Sequence, residues 1–353
     1  MGAFFRDCVP KAEVFQSNLA MARGFRANRI VLVVYRWQGR GCCVSPVTQS
    51  FRGKELKPSE SLKIDAFSMR IADIEGIDLD RLHAHSLSVG WPHRAEDWQF
   101  LRESGQGFVA LDEIGRVLGS AMWFPHGPDF ATIGMVITSP RLQTLGAAQW
   151  LMKRVFDKIP GRDLRLNATR AARRLYLSLD FQPEKTLYQC QGIVRVPTKG
   201  SAAQSRGDMR TLDAGDIRTV VALDAAGFGV QRTALIEKLF AHSTGYGLFR
   251  ESKLTAFALC RPFGRGHVVG PVVAESDADA AAVLRPHMAD HSGSFLRVDT
   301  HMDSGEFAAF LSHAGLPVFD TVLTMSLGKR LADFSVGGLV VPKTYAVASQ
   351  TLG

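Results

Sequence analysis

The residues most able to do chemistry sit between positions 133 and 181. Ile133-Gly-Met-Val-Ile-Thr-Ser-Pro140 is a short apolar run closed by Ser-Pro, which predicts a buried strand. Gln143-Thr-Leu-Gly-Ala-Ala148 follows, and then apolar residues recur at helical spacing (Ala148, Leu151, Met152, Val155, Phe156) until Ile159-Pro160 stops them. A strand therefore feeds a turn with Gly146 at the mouth of a helix. Such a mouth offers unpaired main-chain N–H groups and a partial positive charge, which suits a pyrophosphate. Small residues at 146–148 let an anion approach the backbone closely. Leu164–Leu166 predicts a further strand, and 171–179 a second helix carrying Tyr176.

The elements that must position these residues begin at Met69. A strand at Met69–Ala72 leads to a helix introduced by Asp73 that contains Ile77, Leu79, Leu82 and Leu87, and Trp91-Pro92 breaks it. A short helical stretch around Trp98–Leu101 precedes a hairpin of 107–111 and 117–124. Tyr188–Val196 is the last strand before a small, polar, aperiodic linker over 196–208.

Taken together, Gln-x-x-Gly-x-Ala at 143–148, then Asn167-Ala-Thr169, then Leu175-Tyr-x-x-Leu-x-Phe181 resembles the GCN5-related N-acetyltransferases (GNAT) over roughly 69–195. The resemblance implies an α/β fold with a mixed sheet. It implies that the main chain of Met135, Val136 and Ile137 pairs with the pantetheine arm of acetyl-CoA. The N–H groups of Gln143, Thr144, Leu145, Gly146, Ala147 and Ala148 would take its pyrophosphate, with Asn167 and Thr169 bordering the cofactor. Tyr176 would protonate the departing thiolate. Two departures stand out: Thr144 and Leu145 carry no charge where active relatives usually have Arg or Lys, and Asp180 replaces the usual glycine at a left-handed helix end. No residue stands out as general base. His93 and His126 are conceivable, and a water relay or an amine arriving neutral would also serve. Trp91, His93, Trp123 and His126 lie in segments that border the acceptor side in this fold.

After the linker the chain starts again. Met209-Arg210-x-x-Asp213 echoes Met69-Arg70-x-x-Asp73, 268–274 sits where 133–140 sat, and Phe310-Leu311 matches Leu175-Tyr176. This weak repeat implies two copies of one fold. The second copy, 209–353, has Glu275-Ser-Asp-Ala-Asp279 instead of a glycine loop, and its acids would repel a pyrophosphate. It is thus expected to be degenerate. Its Asp224-x-x-x-Phe228-Gly229-x-x-Arg232 and its terminal 345–353 resemble the C-terminal domain of certain two-domain bacterial acetyltransferases, in which the ending adds an edge strand.

Charge and composition exclude little else. Of the formal +8, residues 1–68 carry +6, with eleven Lys/Arg against five Asp/Glu, and that basic segment is expected to be a poorly ordered extension. Nucleic-acid binding has only this charge behind it. The five cysteines show no metal spacing and suggest a reducing cytoplasm, and no apolar run is long enough to span a bilayer. The expectation is a cytoplasmic N-acetyltransferase without metal, moving acetyl from acetyl-CoA to a primary amine of a small metabolite by direct attack. No nucleic-acid or membrane partner is expected, and a homodimer is compatible with the sequence. The rival reading is a non-catalytic acyl-CoA or small-ligand sensor that kept the fold.

Overall fold

The computed structural model describes residues 61–64, 67–143, 146–196, 206–330 and 342–353. In the first copy the order is β1 (Ser61–Ile64), β2 (Phe67–Asp73), α1 (Leu79–Leu87), α2 (Ala95–Ser104), β3 (Gln106–Leu111), β4 (Val117–His126), β5 (Phe130–Thr138), α3 (Ala147–Lys158), β6 (Asp163–Ala168), α4 (Arg173–Leu177) and β7 (Gln182–Ile193). The second copy repeats it as β8 (Asp208–Thr211), α5 (Ile217–Phe228), α6 (Thr233–Ala241), β9 (Thr244–Arg250), β10 (Lys253–Phe263), β11 (Gly266–Ala274), α7 (Asp277–Asp290), β12 (Phe295–Thr300), α8 (Gly305–His313) and β13 (Val318–Leu327). β14 (Lys343–Ala346) follows.

The two copies do not build two separate sheets. Their strands form one sheet in the order β1-β2-β3-β4-β5-β6-β13-β7-β12-β11-β10-β9-β8, with β14 attached to β11. At its centre each copy lends its last long strand to the other. β13 lies between β6 and β7, with Leu323 opposite both Ala168 and Thr186. β7 in turn lies against β12, with Gln191 opposite Arg297. The reciprocal insertion covers both long strands with main-chain partners. A shared apolar core joins the copies as well. Trp98, Leu82 and Phe124 of the first pack with Val220, Ile236 and Phe257 of the second. Each large side chain buried there contributes roughly 1.5–3 kcal/mol.

The sequence expectations need three corrections. The sheet begins at Ser61, which pairs with Arg70, so the first copy starts upstream of Met69; the rest of the basic extension lies outside the described residues apart from 67–68. The predicted helix from Asp73 is a 3-10 turn at Ile74–Gly76 capped by the Asp73 carboxylate, followed by α1 with Asp78 as its own cap. The C-terminal strand does not extend an edge. β14 pairs Val272–Ala274 of β11 and sits between β11 and β12, because those two strands pair only at His267–Val268 and then separate.

Candidate active site

The site begins with a similar separation in the first copy. β5 pairs β6 in parallel only from Phe130 to Ile133, and beyond that point no strand among the described residues pairs with β5 on that side. The next residue, Gly134, starts an irregularity. The β4–β5 register shifts between Ser120 and Met122, and Met135 takes φ +50°. A non-glycine residue with positive φ costs energy that the surroundings must offset. Here the Ser120 hydroxyl donates to the Met135 carbonyl at 2.7 Å and fixes it. The bulge and the separation together turn main-chain groups of β5 towards an open gap. At the far end of that gap α3 starts at Gly146, whose φ of +87° suits glycine, and its first turn carries no acid. The gap therefore has a pairing edge along one side and a helix mouth at its end.

Across the gap stands Tyr176. A turn from Thr169 to Ala172 opens the five-residue α4, and Asp180 closes it at φ +65°, the left-handed end expected from sequence. Tyr176 is buried, its ring edge-on to Phe181 at 5.8 Å, and burial pushes its phenol well above the usual range. It is protonated at neutral pH and able to donate.

Tyr176 borders a cavity of about 200 Å³ together with Met135, Val136, Asn167, Thr169, Trp91 and His93, so the structure gathers seven of the sequence-predicted residues. His93 is buried among Trp91, Trp98 and Phe263, and its Nδ1 has no hydrogen-bond partner among the described residues. Burial, and then the neighbouring Arg297 charge, lower its pKa to about 4. It is neutral at pH 7.

Other predicted residues lie elsewhere. Trp123 is buried against Phe108 in the core with α3 and does not border the cavity, because its position on β4 faces inward. His126 lines a separate cavity of about 700 Å³ with Asp129, Arg232 and Lys329. Burial, then Arg232 and Arg162, lower its pKa to about 3. Ile137 and Ala147 are buried in the core, Ala148 is half-buried and Gln143 is exposed, while Thr144 and Leu145 lie outside the described residues. The Asn167 side chain is already engaged. Its Nδ2 donates to the Gln350 carbonyl at 2.8 Å, and its Oδ1 accepts from the Thr324 hydroxyl at 2.6 Å.

That contact shows what the sequence reading missed. Ser349, Gln350 and Thr351 form one wall of the cavity, and β12 and the β10–β11 turn of the second copy form another with Arg297, Phe263 and Arg265. The tail is held from several sides. Arg232, fully buried and paired with Asp224 at 2.8 Å, donates from Nη1 to the main-chain oxygen of Gly353 at 2.7 Å. Its guanidinium lies 3.7 Å from the Phe228 ring centroid. The Asp224/Phe228/Arg232 pattern noticed in the sequence is thus a clamp on this tail. Gln350 donates from Nε2 to Gln189 at 3.0 Å, and Gln189 donates likewise to Gln191 at 2.7 Å.

In the second copy the corresponding gap is filled. β14 takes the pairing edge of β11, and the Thr300 hydroxyl donates to the Tyr345 carbonyl. The mouth of α7 is closed by its own acids. Asp277 accepts from Phe307 N and the Tyr345 hydroxyl, and Asp279 pairs with Arg250. No group of three or more His, Cys, Asp or Glu side chains among the described residues could hold a metal ion. No helix among them is long and apolar enough to cross a membrane.

Two family profiles match this architecture, the "Acetyltransferase (GNAT) family" over 77–181 and an "Acetyltransferase (GNAT) domain" over 220–334. No curated protein matches the chain. Among solved structures, a Pyrococcus horikoshii protein described as an acetyltransferase is similar at 16% identity and TM-score 0.66, covering 84% of this chain and 99% of its own. A tandem GNAT protein from the clavulanic acid biosynthesis pathway is similar at 13% identity and TM-score 0.52, covering 75% and 100%. A GCN5-related N-acetyltransferase from Sphaerobacter thermophilus is similar at 13% and 0.53, covering 74% and 96%. At these identities the structures speak to fold, and the two profiles together span more than half of the sequence. The chain belongs to the GCN5-related N-acetyltransferase (GNAT) family, with two copies of the domain.

Proposed function

We propose that the first copy transfers the acetyl group of acetyl-CoA to a primary amine of a small metabolite by direct attack. The observation that carries this reading is the buried, protonated Tyr176 facing the gap beside the Met135 bulge in one cavity. Acetyl-CoA supplies an activated acyl group as a thioester. In this reading the freed edge of β5 from Met135 to Ile137 holds its arm, and the N–H groups at the mouth of α3 take its pyrophosphate. The amine nitrogen attacks the carbonyl carbon, the carbon–sulfur bond breaks, and Tyr176 gives its proton to the sulfur. The attacking nitrogen loses a proton to a neutral acceptor. His93, with an unpartnered Nδ1 in the lining, is the group placed to take it, directly or through water. Its low basicity suits a late, acidic ammonium better than the resting amine, so the acceptor enters as free base.

The test is steady-state CoA release by the full chain with an amine panel, beside Tyr176→Phe. A general acid contributes about 10²–10⁴-fold, and the variant is expected to lose that factor in kcat while acetyl-CoA still raises its melting temperature. Undiminished turnover in Tyr176→Phe would remove the general-acid assignment. Acetyl-CoA binding with no turnover on any amine would favour the sensor reading.

A further inference from the structure

The cavity that has Tyr176 at one end is walled at the other by the second copy. Arg297 on β12 stands opposite Gln191 of β7, and β13 separates β7 from β6. Three strand spacings, roughly 14 Å, lie between the strand of Arg297 and that of Asn167. The space can therefore accept a molecule with two distinct ends, one facing the bulge and Tyr176, the other facing Arg297.

The charges at the far end do not balance. Arg297 is nearly fully buried and spends Nε and Nη2 on Asp299, at 3.0 and 2.9 Å, and its Nη1 has no protein partner among the described residues. Arg261 lies close behind it, and both guanidinium groups stand over the Phe263 ring, at 5.3 and 5.5 Å from its centroid. Among the described residues its Nε is unpartnered and its one hydrogen bond, from Nη2 to the Ala348 carbonyl, is 3.5 Å long. Burial lowers its pKa to about 10. Arg265, exposed, adds a third guanidinium at the mouth. Against these three stand two carboxylates, Asp299 and the rim residue Asp320. Asp97 nearby is taken by Arg94 and by the Gly264 N–H. One excess positive charge remains, and part of it is buried, where an ion without a counter-charge is costly.

The geometry points to an acceptor amine that also carries an anionic group, a carboxylate or a phosphate, held at the Arg265–Arg297 end by the second copy. This rests on the transferase reading for where the amine goes, but not for the anion site itself. A guanidinium edge is a planar donor fork that suits both anions, and an incoming anion compensates the cations gathered around Phe263. The second copy, whose own gap is filled, would then act as the part that selects the substrate.

Calorimetric titration of the full chain in the presence of CoA tests this directly, with 4-aminobutyrate, its methyl ester, O-phosphoethanolamine and ethanolamine as probes. The two anionic amines are expected to bind at least tenfold tighter than their uncharged counterparts, and the better of the two identifies the anion. Arg265→Gln, an exposed change that spares the buried cluster, is expected to reduce that preference severalfold without lowering the melting temperature. Equal binding of acid and ester overturns the anion site. Because the titration reads binding, absence of acetyl transfer bears on the transferase reading alone. Transfer to acid and ester with equal kcat/KM keeps the transferase and overturns the anion site.

Discussion

The gap between β5 and β6 and the gap between β11 and β12 arise in the same way, from parallel strands that pair briefly and then part, and they end differently. In the first copy the gap leads to a helix mouth without acids and faces Tyr176. In the second, β14 is inserted and the helix mouth holds Asp277 and Asp279. One tail serves both. It completes main-chain pairing in the second copy, then crosses to wall the cavity of the first. A repeated fold thus leaves one copy open for a ligand while the other has its opening closed by the chain itself.

The largest expected contrast between the copies is their response to acid. His85 and His93, lowered to about 4, and His126, lowered to about 3, belong to the first copy, while His287, lowered to about 4, belongs to the second, where His267 and His301 are lowered as well. Burial is the leading cause for each. A depressed folded pKa means that the unfolded chain takes up protons first as pH falls. The stability these groups confer is therefore complete above about pH 6.5 and is lost as pH drops towards 4, at ~1.4 kcal/mol per unit per group. Thermal melts from pH 7.5 to 4.5 should show a steep loss. Hydrogen exchange near pH 5 should show α1 and β4 opening before β10 and α7. A flat melting temperature across that range would contradict the buried neutral state of these imidazoles.

The second contrast concerns matching glycines. A Cβ on Gly270 would lie 2.0 Å from the Val347 carbonyl oxygen, whereas on Gly134 it would meet the Thr351 methyl at 2.5 Å and the Thr351 carbonyl at 2.9 Å. Val347 follows β14 directly and its N–H is held by the Asp299 carbonyl at 2.9 Å, and backbone held in this way cannot yield as a side-chain end can. Gly270→Ala is expected to cost about 1–3 kcal/mol by overpacking, and Gly134→Ala less. The reverse order in denaturant unfolding would mean that β14 is not wedged as described. Gly270→Ala should not confer acyl-CoA binding on the second copy, because Asp277 and Asp279 still stand at α7.

Much of this was legible in the residues, and what was not has a common cause. The strand–turn–helix around Gly146, the left-handed Asp180, the helix bearing Tyr176 and the acids of α7 all follow from local patterns. Glycine and aspartate at helix ends, and apolar spacing, act within a few residues. The exchange of β7 and β13 is long-range, since a repeat in sequence says nothing about which copy's strand fills which position. The placing of Ser349–Thr351 against Gly134 is also long-range. Small polar residues near a chain's end carry no signal of what they will cover. The Met135 bulge was equally hidden, because an apolar run reads the same whether its ladder is straight or shifted.

Asn167 is where these two kinds of information conflict, and it gives the smallest and most discriminating prediction. The resemblance assigns it to acetyl-CoA, whereas its amide holds the Gln350 carbonyl and accepts from Thr324. Asn167→Ala removes both hydrogen bonds, at about 1 kcal/mol each, and frees Gln350, whose side chain orders Gln189 and Gln191. If its work is to fix the tail, the variant should raise KM for the amine severalfold and leave the dissociation constant of acetyl-CoA within about twofold. If it binds the co-substrate, the pattern inverts. Equilibrium titration of acetyl-CoA beside amine saturation curves separates the two, and a loss confined to acetyl-CoA would return Asn167 to the role its motif suggests and leave the tail to its other holds, Arg232 and Gln189 among them.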